Sequence, residues 1–251
     1  MTTLRLMVGL LFCAVATTAS AQEPEWDAAS IKECDRACLV AIMDGYMNAI
    51  YKHDPKLVPP LAMGVRMTEN TGVMTVGEGA LWRSKTEPTS FKIYVADPVQ
   101  GQVALQTRLK VQGRDTLAAI RLKVDRGKIL EIEQLHAGGI APQAIELLTT
   151  PRSILTEDVP VGQRVSREVM LRVANSYFDA LEGDNGKIGA FADDCVRHSK
   201  IFAYMKHIRP RRVLIIDEQK QTVSAPSPSS FMTARGAALR PMPPRACSRT
   251  S

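Results

Sequence analysis

The sequence predicts an α+β protein made of two copies of one unit, the second incomplete, on three observations. The first is a weak internal repeat. Tyr46-Met-Asn-Ala49 opens one half and Tyr177-Phe-Asp-Ala180 opens the other. Val65-Arg66 follows the first tyrosine by 19 and 20 residues, and Val196-Arg197 follows the second by the same distances. Asp54 falls on Asn185 and Leu57 on Ile188, again at an offset of 131. A repeat of that length denotes two domain-sized units rather than a solenoid. The second observation is a long helical pattern at the head of each half. The third is a run of alternating strands behind the first helix, an antiparallel meander rather than a βαβ order.

The elements follow in order. Ile31 to His53 reads as a helix, with Cys38, Leu39, Ile42, Tyr46, Ala49 and Ile50 at helical spacing. Asp54-Pro55 ends it, because a residue before proline avoids the helical region. Leu57 to Met63, with Pro59-Pro60, is a short broken segment. Gly64 to Thr68 is a first strand, and Gly77-Glu78-Gly79 a turn before Leu81-Trp82. Phe91 to Ala96 alternates as a strand. Gln102 to Val111, Thr116 to Val124 and Lys128 to His136 are three more, joined by Gly113 and Gly127 turns. Ile120, Leu122 and Val124 face one way and Arg121 and Lys123 the other. Ile129, Glu131 and Glu133 oppose Leu130, Ile132 and Leu135 in the same manner. Ala137 to Gly162 is a connector with a short helix at Pro142 to Leu148. Arg164 to Leu181 is the second long helix, with Leu171, Ala174, Tyr177, Phe178 and Leu181 as its apolar stripe. Ile188 to Phe191 matches the broken segment of the first half.

Composition limits the function. Arg5, the apolar run Leu6 to Ala16 and the A-x-A pattern Ala19-Ser20-Ala21 form a signal peptide over residues 1–21. The apolar run is too short to span a bilayer, and no later stretch is apolar enough to do so. The mature chain, starting at Gln22, is therefore expected to be secreted or periplasmic. The net charge is +6, but Arg209, Arg211, Arg212, Arg235, Arg240, Arg245 and Arg249 all lie in the last fifth of the 251 residues. The basic balance thus describes a tail and not a nucleic-acid surface. Cys13 leaves with the signal peptide. Cys34, Cys38, Cys195 and Cys247 remain, in a compartment that permits disulfides. Cys34 and Cys38 stand four apart in a helical pattern. A bridge within one helical turn is awkward but open, as are pairing elsewhere and plain burial. There is no second ligand pair at zinc spacing and no Gly-rich phosphate loop, so neither metal nor cofactor is expected.

A helix ending in Tyr-x-x-Ala, a broken segment and a curved antiparallel sheet resemble the cone-shaped SnoaL-like fold of the nuclear transport factor 2 superfamily. Three local motifs narrow the resemblance: Arg66-Met-Thr68-Glu69-Asn70, Gly77-x-Gly79-x-x-Trp82, and Arg121-Leu-Lys-Val124 followed by Ile129-x-Glu131-Ile-Glu133. Together they are similar to a family of secreted tandem SnoaL-like proteins known as a domain of unknown function (8021). The resemblance implies two cones, each with helices packed on a curved sheet: a first domain over 22–150 and a partial second one over 151–225. In that family Glu-Asn-Gly follows the Arg-His pair that Arg197-His198 matches. Here Ser199-Lys200-Ile201 follows instead, which implies a missing segment of a few tens of residues, and with it the disulfide partner of Cys195. From Pro226 the chain is Ser, Pro, Ala and Arg. Residues 226–251 read as a disordered basic tail or, from the codon possibilities around Met232-Thr233, as out-of-frame sequence.

The resemblance implies a cavity between sheet and helices, and polar groups there act as acid, base or oxyanion donor. Arg66, Glu69 and Asn70 are the leading cluster, Glu69 as base if desolvated and Arg66 against an anionic intermediate. The competing structural reading is an ion pair and a turn. His136, at the end of the last strand of the first sheet, is the next acid/base candidate. Tyr46 and Trp82 are candidate ligand-stacking residues that also fit a plain core role. Glu131 and Glu133 with Arg121 and Lys123 read as a salt-bridged sheet face, and His53 as a helix-end cap. The expected function is binding of a small organic molecule, with cofactor-free isomerase or dehydratase chemistry in the first cone. The alternative is a non-catalytic ligand-binding or protein-interaction module. A raised pKa at Glu69 favours the enzyme.

Overall fold

The computed structural model describes residues 34–191, 211, 215–227 and 230–235, with 226, 227 and 230–235 described as backbone alone. The expected signal peptide, Cys195, the expected break at His198/Ser199 and Cys247 lie outside the described residues. Helix α1 (Arg36–Lys52) starts later than the sequence pattern suggests, because Asp35 takes the N-cap and accepts from Cys38 N at 2.8 Å. Cys34 therefore precedes the cap, and it forms a disulfide with Cys38 at a Cα separation of 5.2 Å. Both cysteines were expected inside the helix. Moving one of them outside it removes the geometric awkwardness. His53 closes α1 in the left-handed region, and Asp54 caps a single 3₁₀ turn, Pro55–Leu57.

Next come β1 (Leu61–Glu69), β2 (Gly72–Met74) and the one-turn helix α2 (Ala80–Arg83). Strands β3 (Thr86–Asp97), β4 (Gln102–Val111), β5 (Arg114–Asp125) and β6 (Lys128–Gly138) complete a six-stranded sheet. Its order is β2-β1-β6-β5-β4-β3. All neighbours are antiparallel except β1 and β6, which run parallel. Register breaks in β1, in β3 between Pro88 and Lys92, and opposite Leu130 bend the strands into a curved sheet. Helix α1 lies on one face of it, with Leu39, Ile42, Met43, Tyr46 and Ile50 buried against Val103, Leu105, Ile120, Leu122 and Ile132.

The bulge at Leu130 corrects the predicted facing of β6. Lys123 pairs with Glu131 while Val124 pairs with Ile129, so Leu130 is the extra residue. Ile129, Ile132 and Gln134 therefore share burial, and Leu135 falls outside that set.

Helices α3 (Pro142–Leu147) and α4 (Ser153–Thr156) lead to α5 (Arg167–Glu182), which Ser166 caps. A second sheet follows, β7 (Ile215–Asp217), β8 (Thr222–Ser227) and β9 (Ser230–Arg235), all antiparallel. Met170 and Ala174 of α5 pack on Ile216 and Val223. The strand β9 moves the expected boundary of the tail, since its backbone pairs with β8 past Pro226. Phe231, Met232 and Thr233 suit a pleated surface, and a strand that adds to an existing sheet needs no core of its own. No helix among the described residues is long and apolar enough to cross a membrane.

Candidate functional site

The site begins with alternation along β1. Met67 and Glu69 point into the first half, while Arg66 points out. In the parallel register, Met67 sits beside Ile132 and Glu69 beside Gln134. Arg66 sits beside Glu131 on the opposite face. Its side chain is 78% exposed and donates to Glu131 Oε1 at 2.6 Å. The expected pairing of Arg66 with Glu69 in one cluster is thus corrected: residues three apart on a strand face opposite ways.

Glu69 is buried and its carboxylate is held from three sides. Ala80 N donates to Oε1 at 2.6 Å and Leu81 N to Oε2 at 3.3 Å, so it caps the start of α2. His136 Nε2 lies 3.6 Å from Oε1. The turn before α2 must carry a glycine here. Gly79 has φ +97, and a Cβ on it would sit 2.7 Å from Glu69 Oε2. Burial raises the Glu69 carboxyl, but the His136 imidazole and the two backbone N–H groups outweigh it and hold the pKa below its ordinary value. The raised pKa that would favour Glu69 as a base is therefore not found.

Asn70 pairs with the backbone of His136. It sits with positive φ in the β1–β2 turn. Its Oδ1 accepts from His136 N at 2.9 Å, and its Nδ2 donates to His136 O at 3.2 Å. The side-chain amide thus replaces a peptide of β1 and continues its pairing with β6.

Tyr46 and Trp82 meet edge to face with centroids 5.7 Å apart. The Tyr46 hydroxyl is fully buried, accepts from Gln134 Nε2 at 2.7 Å and reaches Met67 Sδ at 4.0 Å. Burial pushes its pKa far above the ordinary tyrosine value, so it stays a neutral donor. His53 Nδ1 donates to the Trp82 carbonyl at 2.7 Å, which ties the end of α1 to α2. Three buried atoms in this cluster make no hydrogen bond of normal geometry: Trp82 Nε1, Gln134 Oε1 and His136 Nε2. Gln134 was not foreseen. The alternation of β6 points to it, because Gln134 lies two residues after the buried Ile132.

The opposite face carries the ion pairs expected of Glu131 and Glu133. Arg121 donates to Glu131 at 2.6 Å, to Glu133 at 2.9 Å and to Gln102 at 2.8 Å. The arginine is only 3% exposed, so this is a buried network rather than a solvent face. Among the described residues, no group of three or more His, Cys, Asp or Glu side chains is placed to hold a metal ion.

A family model described as "Domain of unknown function (DUF8021)" matches residues 163–237. That span includes α5, the second sheet and part of the segment expected to be tail. No curated protein matches the chain significantly. Solved structures similar to part of it include an NTF2-like protein of unknown function from Cytophaga hutchinsonii, at 12% identity and a TM-score of 0.32, covering 43% of this chain and 94% of that one. Another is a protein of unknown function with a cystatin-like fold from Methylobium petroleophilum, at 16% and 0.35, covering 44% and 82%. A third is an NTF2-like protein from Burkholderia xenovorans, at 14% and 0.32, covering 44% and 95%.

Proposed function

We propose that the chain is an exported tandem of two SnoaL-like units, the second incomplete, whose first unit binds a small organic molecule. The observation that carries the binding reading is the convergence of Tyr46, Trp82, Gln134, Glu69 and His136, with three buried polar atoms that lack a hydrogen bond of normal geometry. A buried polar group without a partner costs about 1–3 kcal/mol. Here Trp82 Nε1 and Gln134 Oε1 lack such a bond and His136 Nε2 has only the 3.6 Å approach to Glu69, which suits a guest that supplies the complementary groups. The Tyr46 hydroxyl and the Trp82 N–H offer protons to a carbonyl or hydroxyl oxygen, and Gln134 Oε1 accepts one. His136, beside the Glu69 carboxylate and oriented by Asn70, is the acid/base group for isomerisation or dehydration of such a guest. Export is supported by Ala19-Ser20-Ala21 and by the Cys34–Cys38 disulfide.

A second reading, a non-catalytic binding module, is favoured by one observation. Glu69 is engaged in capping α2, and its pKa is lowered rather than raised. One experiment separates the two. Compounds that raise the melting temperature of the mature chain are incubated with it in deuterated buffer. The enzyme reading predicts solvent deuterium at a carbon beside a carbonyl of the guest, and none with His136→Gln. Binding without exchange in either protein leaves only the module.

A further inference from the structure

We propose that the two halves pack about an internal two-fold axis, through the same surface of each, so that the second half acts as a covalently attached second subunit for the first. The inference rests on the tandem reading and is independent of the ligand site.

The surface is a reciprocal exchange between two aspartates. Asp97 ends β3 and Asp217 ends β7. Asp217 Oδ2 accepts from Arg36 Nε at 3.1 Å and from Ala96 N at 3.0 Å. Asp97 Oδ2 accepts from Ile216 N at 3.0 Å, and its carboxylate is gripped by both terminal nitrogens of Arg167, one of them at 2.9 Å from Oδ1. Ala96 and Ile216 each precede their own aspartate. Arg36 and Arg167 each begin their own helix, 131 residues apart. Within its own half, Asp97 Oδ1 accepts from Gln100 N at 3.2 Å and Asp217 Oδ1 from Lys220 N at 2.9 Å, each three residues on. Each of these bonds from one half to the other has a twin running back. That reciprocity marks an isologous interface.

The surroundings obey the same correspondence. Met170, Ala174, Ile216 and Val223 form the core of the second half, with Val165 against them. Their counterparts Leu39, Met43, Ala96 and Val103, with Cys34 against them, lie in the core of the first half. The N-caps Asp35 and Ser166 correspond, and so do Asp54 and Asn185 before their 3₁₀ turns. Val95, Ala104 and Ile215 form a separate buried cluster between the sheets. Val95 and Ile215 each stand two residues before their aspartate. A residue that packs against its own counterpart sits at the axis of a two-fold. In this correspondence the offset is 131 up to Ile188 and 120 from Ile215, a difference of eleven residues.

A face that fits its own counterpart also fits the same face of a second chain when the attached half is unseated. The test uses the full mature chain with Cys195→Ser and Cys247→Ser. Adding V95C and I215C is expected to give an intramolecular disulfide and a monomer on a non-reducing gel. V95C alone is expected to give none. V95C with R167A and I215D, which unseat the second half, is expected to give disulfide-linked dimers. Failure of V95C and I215C to join overturns the proposal. So does a folded, unseated variant that stays uncross-linked. If the unseated variant loses its cooperative melt, Asp97→Asn and Asp217→Asn decide. Reciprocity predicts similar falls in melting temperature, and a loss confined to one of the two overturns it.

Discussion

Glu69 fixes α2, faces His136 and lies beside Gln134, so one side chain links scaffold and site. Its depressed pKa gives a pH signature. A carboxyl with a lower pKa folded than unfolded adds stability above its unfolded value, and that stability is lost as pH falls through the folded value. The melting temperature of the wild type should therefore drop on acidification from about pH 4.5 downward, where the ordinary carboxyl titrates. Glu69→Gln should lack that component and be less stable at pH 7 by about 1–3 kcal/mol, as expected for a lost charged hydrogen bond. Parallel acid dependence in both proteins would rule this out. At this scale the sequence names Glu69, Tyr46 and Trp82 through local motifs and His136 through its place at the end of a strand, and the fold brings these four together. Arg66 was misread because Glu69, three residues on, lies on the other face of β1. Gln134 was missed because Leu135, three residues from Ile132, was given the place on that face that alternation assigns to Gln134.

The elements are held by a few connections that pattern alone does not reveal. Arg121 joins β5 to β6 and β4 through three side chains in a nearly dry setting. Removing one partner of such a network leaves charge uncompensated. Arg121→Ala should thus cost about 3–5 kcal/mol in denaturant unfolding. Arg121→Met with Glu131→Gln and Glu133→Gln should recover much of that loss, and no recovery would refute the ionic account. The disulfide at the head of α1 closes only a short loop. Cys34→Ser with Cys38→Ser should cost about 2 kcal/mol on the chain-entropy scale, read as a fall in denaturation midpoint. Element order was legible from periodicity, from Asp54-Pro55 and from the glycine turns. The start of α1 was not, because the Asp35 cap competes with the apolar pattern. The strand β9 was not, because its composition lacks the apolar alternation that marks a core strand.

At the scale of the whole molecule, the proposed two-fold would give the repeat read in the sequence a physical meaning at the contact between halves. Aspartates 120 residues apart do not announce themselves as twins when the repeat is 131. A chain ending at Thr150 would bare Val95, Ala104 and the Asp97 carboxylate. We therefore expect it to elute as a self-paired dimer, and a stable monomer would count against the symmetric interface. Binding in the first half is open to a direct measurement. The mature chain is melted against a library of small carbonyl and hydroxyl compounds, beside Tyr46→Phe and Gln134→Leu. A compound that raises the melting temperature of the wild type, with a clearly smaller shift in both variants, is the predicted result. No shift with any compound, or equal shifts in all three proteins, would contradict a binding site at these residues.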